Sequence, residues 1–128
     1  KDLIIIHGRN IWPQDLEHVA ETQAEVRAGD SVAFSAPNSE DEELCVLLVQ
    51  CRERDPGVRN NLVRRLTALL RMEMSLDCYV ELVPTRSLPK TSSGKLSRAK
   101  ARLDFISNND IDKLNAAAAE ARLRVASA

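Results

Sequence analysis

The chain has 128 residues, 44% of them hydrophobic and 29% charged, with a formal net charge of -1. These values fit one globular core and argue against a disordered segment or a global pull toward nucleic acid or anionic lipid. No apolar run approaches the ~20 residues that a bilayer span requires, and no signal-peptide pattern opens the chain. Cys45, Cys51 and Cys78 are odd in number and lack C-x-x-C spacing. That argues against a disulfide framework or a zinc site and leaves buried or half-buried thiols in a reducing cytoplasm. The scarce aromatics, Trp12, Phe34, Tyr79 and Phe105, make no basic-aromatic pattern for base stacking.

The β-branched run Leu3 to Ile6 predicts a buried strand. His7-Gly8-Arg9-Asn10 supplies turn chemistry, with Gly8 and Asn10 tolerant of positive φ. Pro13 suits a first helical position, and Leu16, Val19, Ala20 and Val26 recur as an inward stripe, which predicts a helix over about Pro13 to Glu25. Ser31 to Ala36 reads as a strand closed by Pro37-Asn38, and Leu44 to Gln50 as a second strand of the same sheet. The acidic run Glu40 to Glu43 between them is a solvated loop without a coordinating set for a metal.

Asp55-Pro56 pairs an N-cap with a first-turn proline, and Val58, Leu62, Leu66, Leu69 and Leu70 carry a helix to about Met74. Its arginines lie largely on other faces, as a solvated surface or as a site for an anion or an acidic partner. Tyr79 to Val83 is the last strand, ended by Pro84. Arg98 to Leu103 predicts a helical turn or more, and Ile111, Leu114, Ala118, Ala121 and Val125 a further helical stripe in an alanine-rich tail. Together these elements predict a small two-layer α+β domain with about three mainly antiparallel strands, occupying 1–105, and a helical or frayed tail over 106–128.

Between the last strand and its following helix lies SLPKTSSGKLSRAKAR, Ser87 to Arg102. From Leu82 through Leu103 there is no acidic residue, whereas Arg86, Lys90, Lys95, Arg98, Lys100 and Arg102 are all basic, so the stretch attracts anions. Thr91-Ser92-Ser93-Gly94 has little bulk and lets the backbone turn tightly before Lys95. A P-loop does not fit, because Pro89 stands where its first glycine belongs and Leu96 where its hydroxyl residue belongs. A solvated basic loop remains open on charge alone, as does a stand-alone module that binds anions or nucleic acid.

Leu88-Pro89-Lys90-Thr91-Ser92-Ser93-Gly94-Lys95-Leu96-Ser97-Arg98 resembles the last core motif of the adenylate-forming enzymes: acyl- and aryl-CoA ligases, peptide-synthetase adenylation domains and luciferases. The opening Lys1-Asp2-Leu3-Ile4-Ile5-Ile6-His7-Gly8-Arg9-Asn10-Ile11-Trp12-Pro13-Gln14-Asp15-Leu16-Glu17 is similar to the motif that follows their interdomain hinge. Its wording is most similar to the fatty acyl-AMP ligase branch.

The resemblance implies the mobile C-terminal domain of an ATP-dependent ligase, inactive alone, and a start without methionine is what an excised domain would show. It implies that Lys95 contacts the substrate carboxylate and AMP oxygens, supported by Thr91, Ser93 and Gly94. It further implies that His7, Gly8, Arg9 and Asn10 form the loop lining the pantetheine passage, and that Lys1 and Asp2 form the hinge. ATP and Mg²⁺ are expected mainly on a large N-terminal domain. A fatty acid is the expected substrate, and the acceptor a phosphopantetheine on an acyl carrier protein or polyketide synthase, with CoA as the alternative. No nucleic acid, no protein-held metal in this chain, no transmembrane segment and a cytoplasmic setting complete the expectation.

Overall fold

The computed structural model of the chain describes residues 3–108, 113–116, 119–120 and 123. It opens with a hairpin of β1 (Ile4–Ile6) and β2 (Arg9–Ile11), in which Ile6 faces Arg9. The two-residue turn between them has φ of 50° at His7 and 78° at Gly8. Both central residues at positive φ make a type I′ turn, whose twist matches that of the strands it joins. The turn is therefore His7-Gly8 alone, and Arg9 and Asn10, read from sequence as turn residues, begin a return strand.

Helix α1 (Pro13–Glu21) follows with proline in its first turn and buries Leu16, Val19 and Ala20. It stops short of the expected Glu25. The Thr22 hydroxyl donates to the Val19 carbonyl at 2.6 Å, a local bond that competes with helix propagation. Arg65 then draws the next segment toward another helix by bonding Gln23 at 2.7 Å and pairing with Glu25. Val26 still reaches the core from the loop.

The main sheet has the order β3 (Ser31–Pro37), β4 (Glu43–Gln50), β5 (Cys78–Val83). β3 and β4 are antiparallel, joined by a turn in which Asn38 Oδ1 accepts from the amides of Glu40 and Glu42. β4 and β5 are parallel. Helix α2 (Pro56–Met74) has 19 residues and spans about 28 Å, returning the chain to the end from which β4 set out. A strand entered after such a crossover runs parallel to its predecessor. Asp55 occupies the N-cap position of α2 without a side-chain capping bond, and Ser75 closes the helix in the left-handed region.

On one sheet face Ala33, Cys45, Leu47, Val49, Val80 and Leu82 pack with the hairpin, α1 and the Leu62, Leu66 and Leu70 stripe of α2. On the other, Val32, Phe34, Val46 and Leu48 meet Ala101 and Phe105 of α3 (Arg98–Ser107) and Leu114. Cover on both faces explains why β4 reads as an almost unbroken apolar run. Cys45, Cys51 and Cys78 are free and buried. Cys45 and Cys78 are register partners, and the hydrogen bond with Cys45, followed by burial, pushes the Cys78 thiol well above its ordinary pKa.

Among the described residues no helix is long and apolar enough to cross a membrane. Of the tail stripe, Leu114 is described and buried, whereas Ile111, Ala118, Ala121 and Val125 lie outside the described residues, as do Lys1 and Asp2.

Candidate functional site

The loop carrying Lys95 folds on itself. Lys90 and Leu96 form an isolated antiparallel bridge, the Thr91 amide donates to the Lys95 carbonyl at 2.7 Å, and the Gly94 amide to the Thr91 carbonyl at 3.0 Å. The Thr91 and Ser93 hydroxyls lie 2.8 Å apart. Gly94 has φ of 87°, yet a Cβ there would meet nothing within 4 Å, so the turn and not crowding calls for glycine.

Two buried polar residues hold the base of this loop. Gln50, at the end of β4, accepts from the Leu88 amide at 3.1 Å through Oε1 and donates to Asp30 at 3.1 Å through Nε2. Ser97 caps α3 by accepting from the Lys100 amide, and its own amide donates to the Pro89 carbonyl at 2.9 Å. A bidentate pair completes the brace: Arg98 donates to Glu17 at 2.8 and 2.7 Å, and the same carboxylate accepts from the Ala33 amide at 2.9 Å. The first sequence motif, through Glu17, is thereby bolted to the last, through Arg98.

This resolves the basic stretch into parts. Arg98 is spent on Glu17, and Arg102 on the Ser35 carbonyl at 2.7 Å. Lys90, Lys95 and Lys100 have no side-chain partner among the described residues. Lys95 stands exposed over an open cleft of ≈ 430 Å³, with Glu17, Glu21 and Asp30 on the opposite wall. Those carboxylates are already engaged, with Arg98, the Gly29 amide and Gln50 respectively. Lys90 and Lys95 are thus in no ion pair among the described residues, although Glu21 and Asp30, bonded to neutral amides, keep their negative charge on the same cleft.

The His7-Gly8 turn is a separate feature. Arg9, expected in the loop itself, turns away from it and donates to the carbonyls of Met74 at 2.6 Å and Ser75 at 2.7 Å. A guanidinium there satisfies the last carbonyls of α2 and complements the negative end of its dipole. His7, Gly8 and Asn10 remain exposed. Ser75 precedes β5 and the Lys95 loop follows it, so the six residues of that strand, about 20 Å, separate the two features. The structure does not bring them together.

Gln50 and Asp30 carried no functional reading in the sequence. The available signal was a glutamine closing an otherwise apolar strand, a position where a buried amide needs partners. No group of three or more His, Cys, Asp or Glu able to hold a metal occurs among the described residues.

No family model matches the chain. Individual relatives do. Over 107 residues it is 47% identical to a Caulobacter vibrioides protein named as an acyl-CoA synthetase, covering 83% of this chain. It is 34% identical over 109 residues to the medium-chain-fatty-acid–[acyl-carrier-protein] ligase of Moorena producens, again covering 83% of this chain. A structure from work on fatty acyl-adenylate ligases of E. coli and L. pneumophila superposes with a TM-score of 0.72 at 41% identity over 81% of this chain. The chain spans 18% of the length of each of these proteins.

Proposed function

The chain belongs to the adenylate-forming ligases, matching the C-terminal part of fatty acyl-AMP and acyl-CoA ligases, and from this premise we propose that it is the lid domain of an enzyme that activates a fatty acid with ATP. In the first half-reaction the fatty carboxylate attacks the α-phosphorus, forming acyl-AMP and releasing pyrophosphate. Negative oxygens converge at that step. Lys95 is the residue proposed to meet them, because a preorganised ammonium lowers their repulsion and stabilises the phosphorus transition state. The observation that carries this reading is an ammonium with no side-chain partner among the described residues, on a loop braced by Gln50, Ser97 and the Arg98–Glu17 pair. Thr91, Ser93 and Gly94 shape that loop.

In this reading Mg²⁺ and most of the ATP are held by a large N-terminal domain. In the second half-reaction the domain turns about the hinge at Lys1 and Asp2, withdrawing Lys95 and presenting the His7-Gly8 turn. That turn, with Asn10 beside it and Arg9 behind, lines the passage for the pantetheine arm. The acceptor in this reading is an acyl carrier protein, as for the Moorena producens relative, or a polyketide synthase. A second reading, with CoA as acceptor, is favoured by the higher identity to the Caulobacter vibrioides protein.

The test uses the intact ligase and measures pyrophosphate release and acyl transfer for Lys95→Ala, Lys90→Ala and Lys100→Ala. Loss of pyrophosphate release confined to Lys95→Ala supports the assignment, whereas similar modest losses in all three would reduce the loop to a diffuse basic patch. Supplying CoA or a phosphopantetheinylated carrier protein to the wild-type enzyme separates the two acceptors.

A further inference from the structure

A second concentration of positive charge lies outside the Lys95 cleft. At the carboxyl ends of the parallel neighbours β4 and β5, Arg52, Arg54, Arg59 and Arg86 line one cavity of ≈ 630 Å³, with Glu53 as its single acidic wall residue. Crevices beyond the carboxyl ends of parallel strands are common ligand sites, and this volume lies within the usual range of about 300–1,000 Å³.

The cavity lining carries four positive charges against one negative. None of the four guanidiniums enters an ion pair among the described residues. Glu53 accepts the Asp55 amide at 3.1 Å. Of the carboxylates that adjoin Arg52 on its other side, Glu25 is ion-paired with Arg65, while Asp30, bonded to the neutral Gln50 amide, keeps its charge without pairing to Arg52. Like charges gathered in a concavity repel one another and focus a positive field, a cost that a bound anion would relieve.

One of the arginines is held in position by hydrogen bonds, and another stands on a constrained backbone. Arg59, half-buried, donates to the carbonyls of Glu53 at 2.9 Å and Leu82 at 3.4 Å, which leaves further N–H groups of its fork unused. Arg86 sits at φ of 62°, a left-handed conformation that side-chain-bearing residues seldom adopt. The loops bearing these residues are joined by the Cys51 amide, which donates to the Val83 carbonyl at 3.0 Å.

We propose that this cavity binds a multiply charged phosphate group, either free as pyrophosphate or carried on a nucleotide. Planar guanidiniums bind phosphate oxygens in pairs, and several converging on one volume select charge density over a single negative charge. The inference stands apart from the role given to Lys95, because it uses none of the residues of that loop.

Calorimetric titration of the 128-residue chain with pyrophosphate, and separately with ATP, tests it. Saturable binding is expected, weakened about tenfold or more by the double variant Arg52→Ala/Arg54→Ala and also by Arg86→Gly. Arg86→Gly removes the guanidinium while suiting the backbone, so its melting temperature should not fall. Arg64→Ala removes equal charge from an exposed position on α2 outside the cavity and should change affinity less than about twofold. Equal binding of pyrophosphate and ATP assigns the phosphate chain alone, and tighter ATP binding assigns the nucleotide-borne form. Absence of saturable binding, equal weakening by Arg64→Ala, or loss of binding in Lys95→Ala would overturn the proposal.

Discussion

Where β5 stops, the loop carrying Lys95 is braced by a glutamine, a serine cap and a bidentate ion pair, all half-buried or buried. Where β5 begins, the His7-Gly8 turn relies on its own type I′ geometry and on one exposed arginine bonded to the end of α2. The first end holds the base of a loop that carries an exposed lysine. The second holds a short backbone turn, in which Gly8 accepts positive φ freely and histidine enters the left-handed region more readily than most side-chain-bearing residues. Bracing is thus concentrated beneath the loop that carries Lys95, as its proposed role in acyl-AMP formation would require.

The comparison can be broken most strongly at Glu17. Glu17→Ala deprives Arg98 of its bidentate carboxylate and the Ala33 amide of its acceptor, leaving partly buried groups without these bonds. A loss of about 2–3 kcal/mol is expected in urea or thermal unfolding, with Glu17→Gln recovering part of it. A change under about 0.5 kcal/mol would mean that the brace is ornamental. At the other end, Arg9→Ala removes two exposed bonds to the carbonyls of α2 and should cost only about 0.5–1 kcal/mol. Hydrogen exchange should quicken in the hairpin and the last turn of α2 while the Lys95 loop is unaffected.

The smallest expected effect separates a surface pair from the brace. The hydrogen bond from Arg65 holds the Glu25 carboxyl below the usual carboxylate range. A depressed folded pKa contributes stability above the unfolded value, and this is lost as pH falls through the folded value. Glu25→Gln should therefore be less stable than wild type by about 0.2–1 kcal/mol at pH 7, with the gap closing below about pH 4. A gap that persisted into acid would show packing, not charge, to be responsible.

Much of this architecture was legible because it is local. The Asp55-Pro56 start and leucine stripe predicted α2 over Pro56–Met74, and the apolar runs predicted the three strands of the main sheet to within a residue at each end. The shape of the Lys95 loop followed from Gly94 and the small residues before it. Errors came where distant groups decide. The end of α1 depends on Arg65, far along the chain, as well as on the adjacent Thr22. The anchoring of Arg9 depends on carbonyls at Met74 and Ser75, which no local pattern announces. The parallel ladder was recoverable from a strand, a 19-residue helix and a strand in succession, but single-strand alternation does not encode it. Gln50 looked like the tail of an apolar run, and its two bonds appear only once β3 and the Leu88 segment close around it.

The central claim is that one end of the sheet serves acyl-AMP formation and the other serves transfer. Its most direct test measures both half-reactions of the intact ligase in Lys95→Ala and Gly8→Trp. The account predicts a crossover: Lys95→Ala slows pyrophosphate release about a hundredfold or more, or ~3 kcal/mol, while transfer from supplied acyl-AMP is nearly unchanged. Gly8→Trp should impair transfer more than acyl-AMP formation, by blocking the passage in the later conformation alone. Loss of both half-reactions to the same degree in each variant would contradict the division of labour between the two ends.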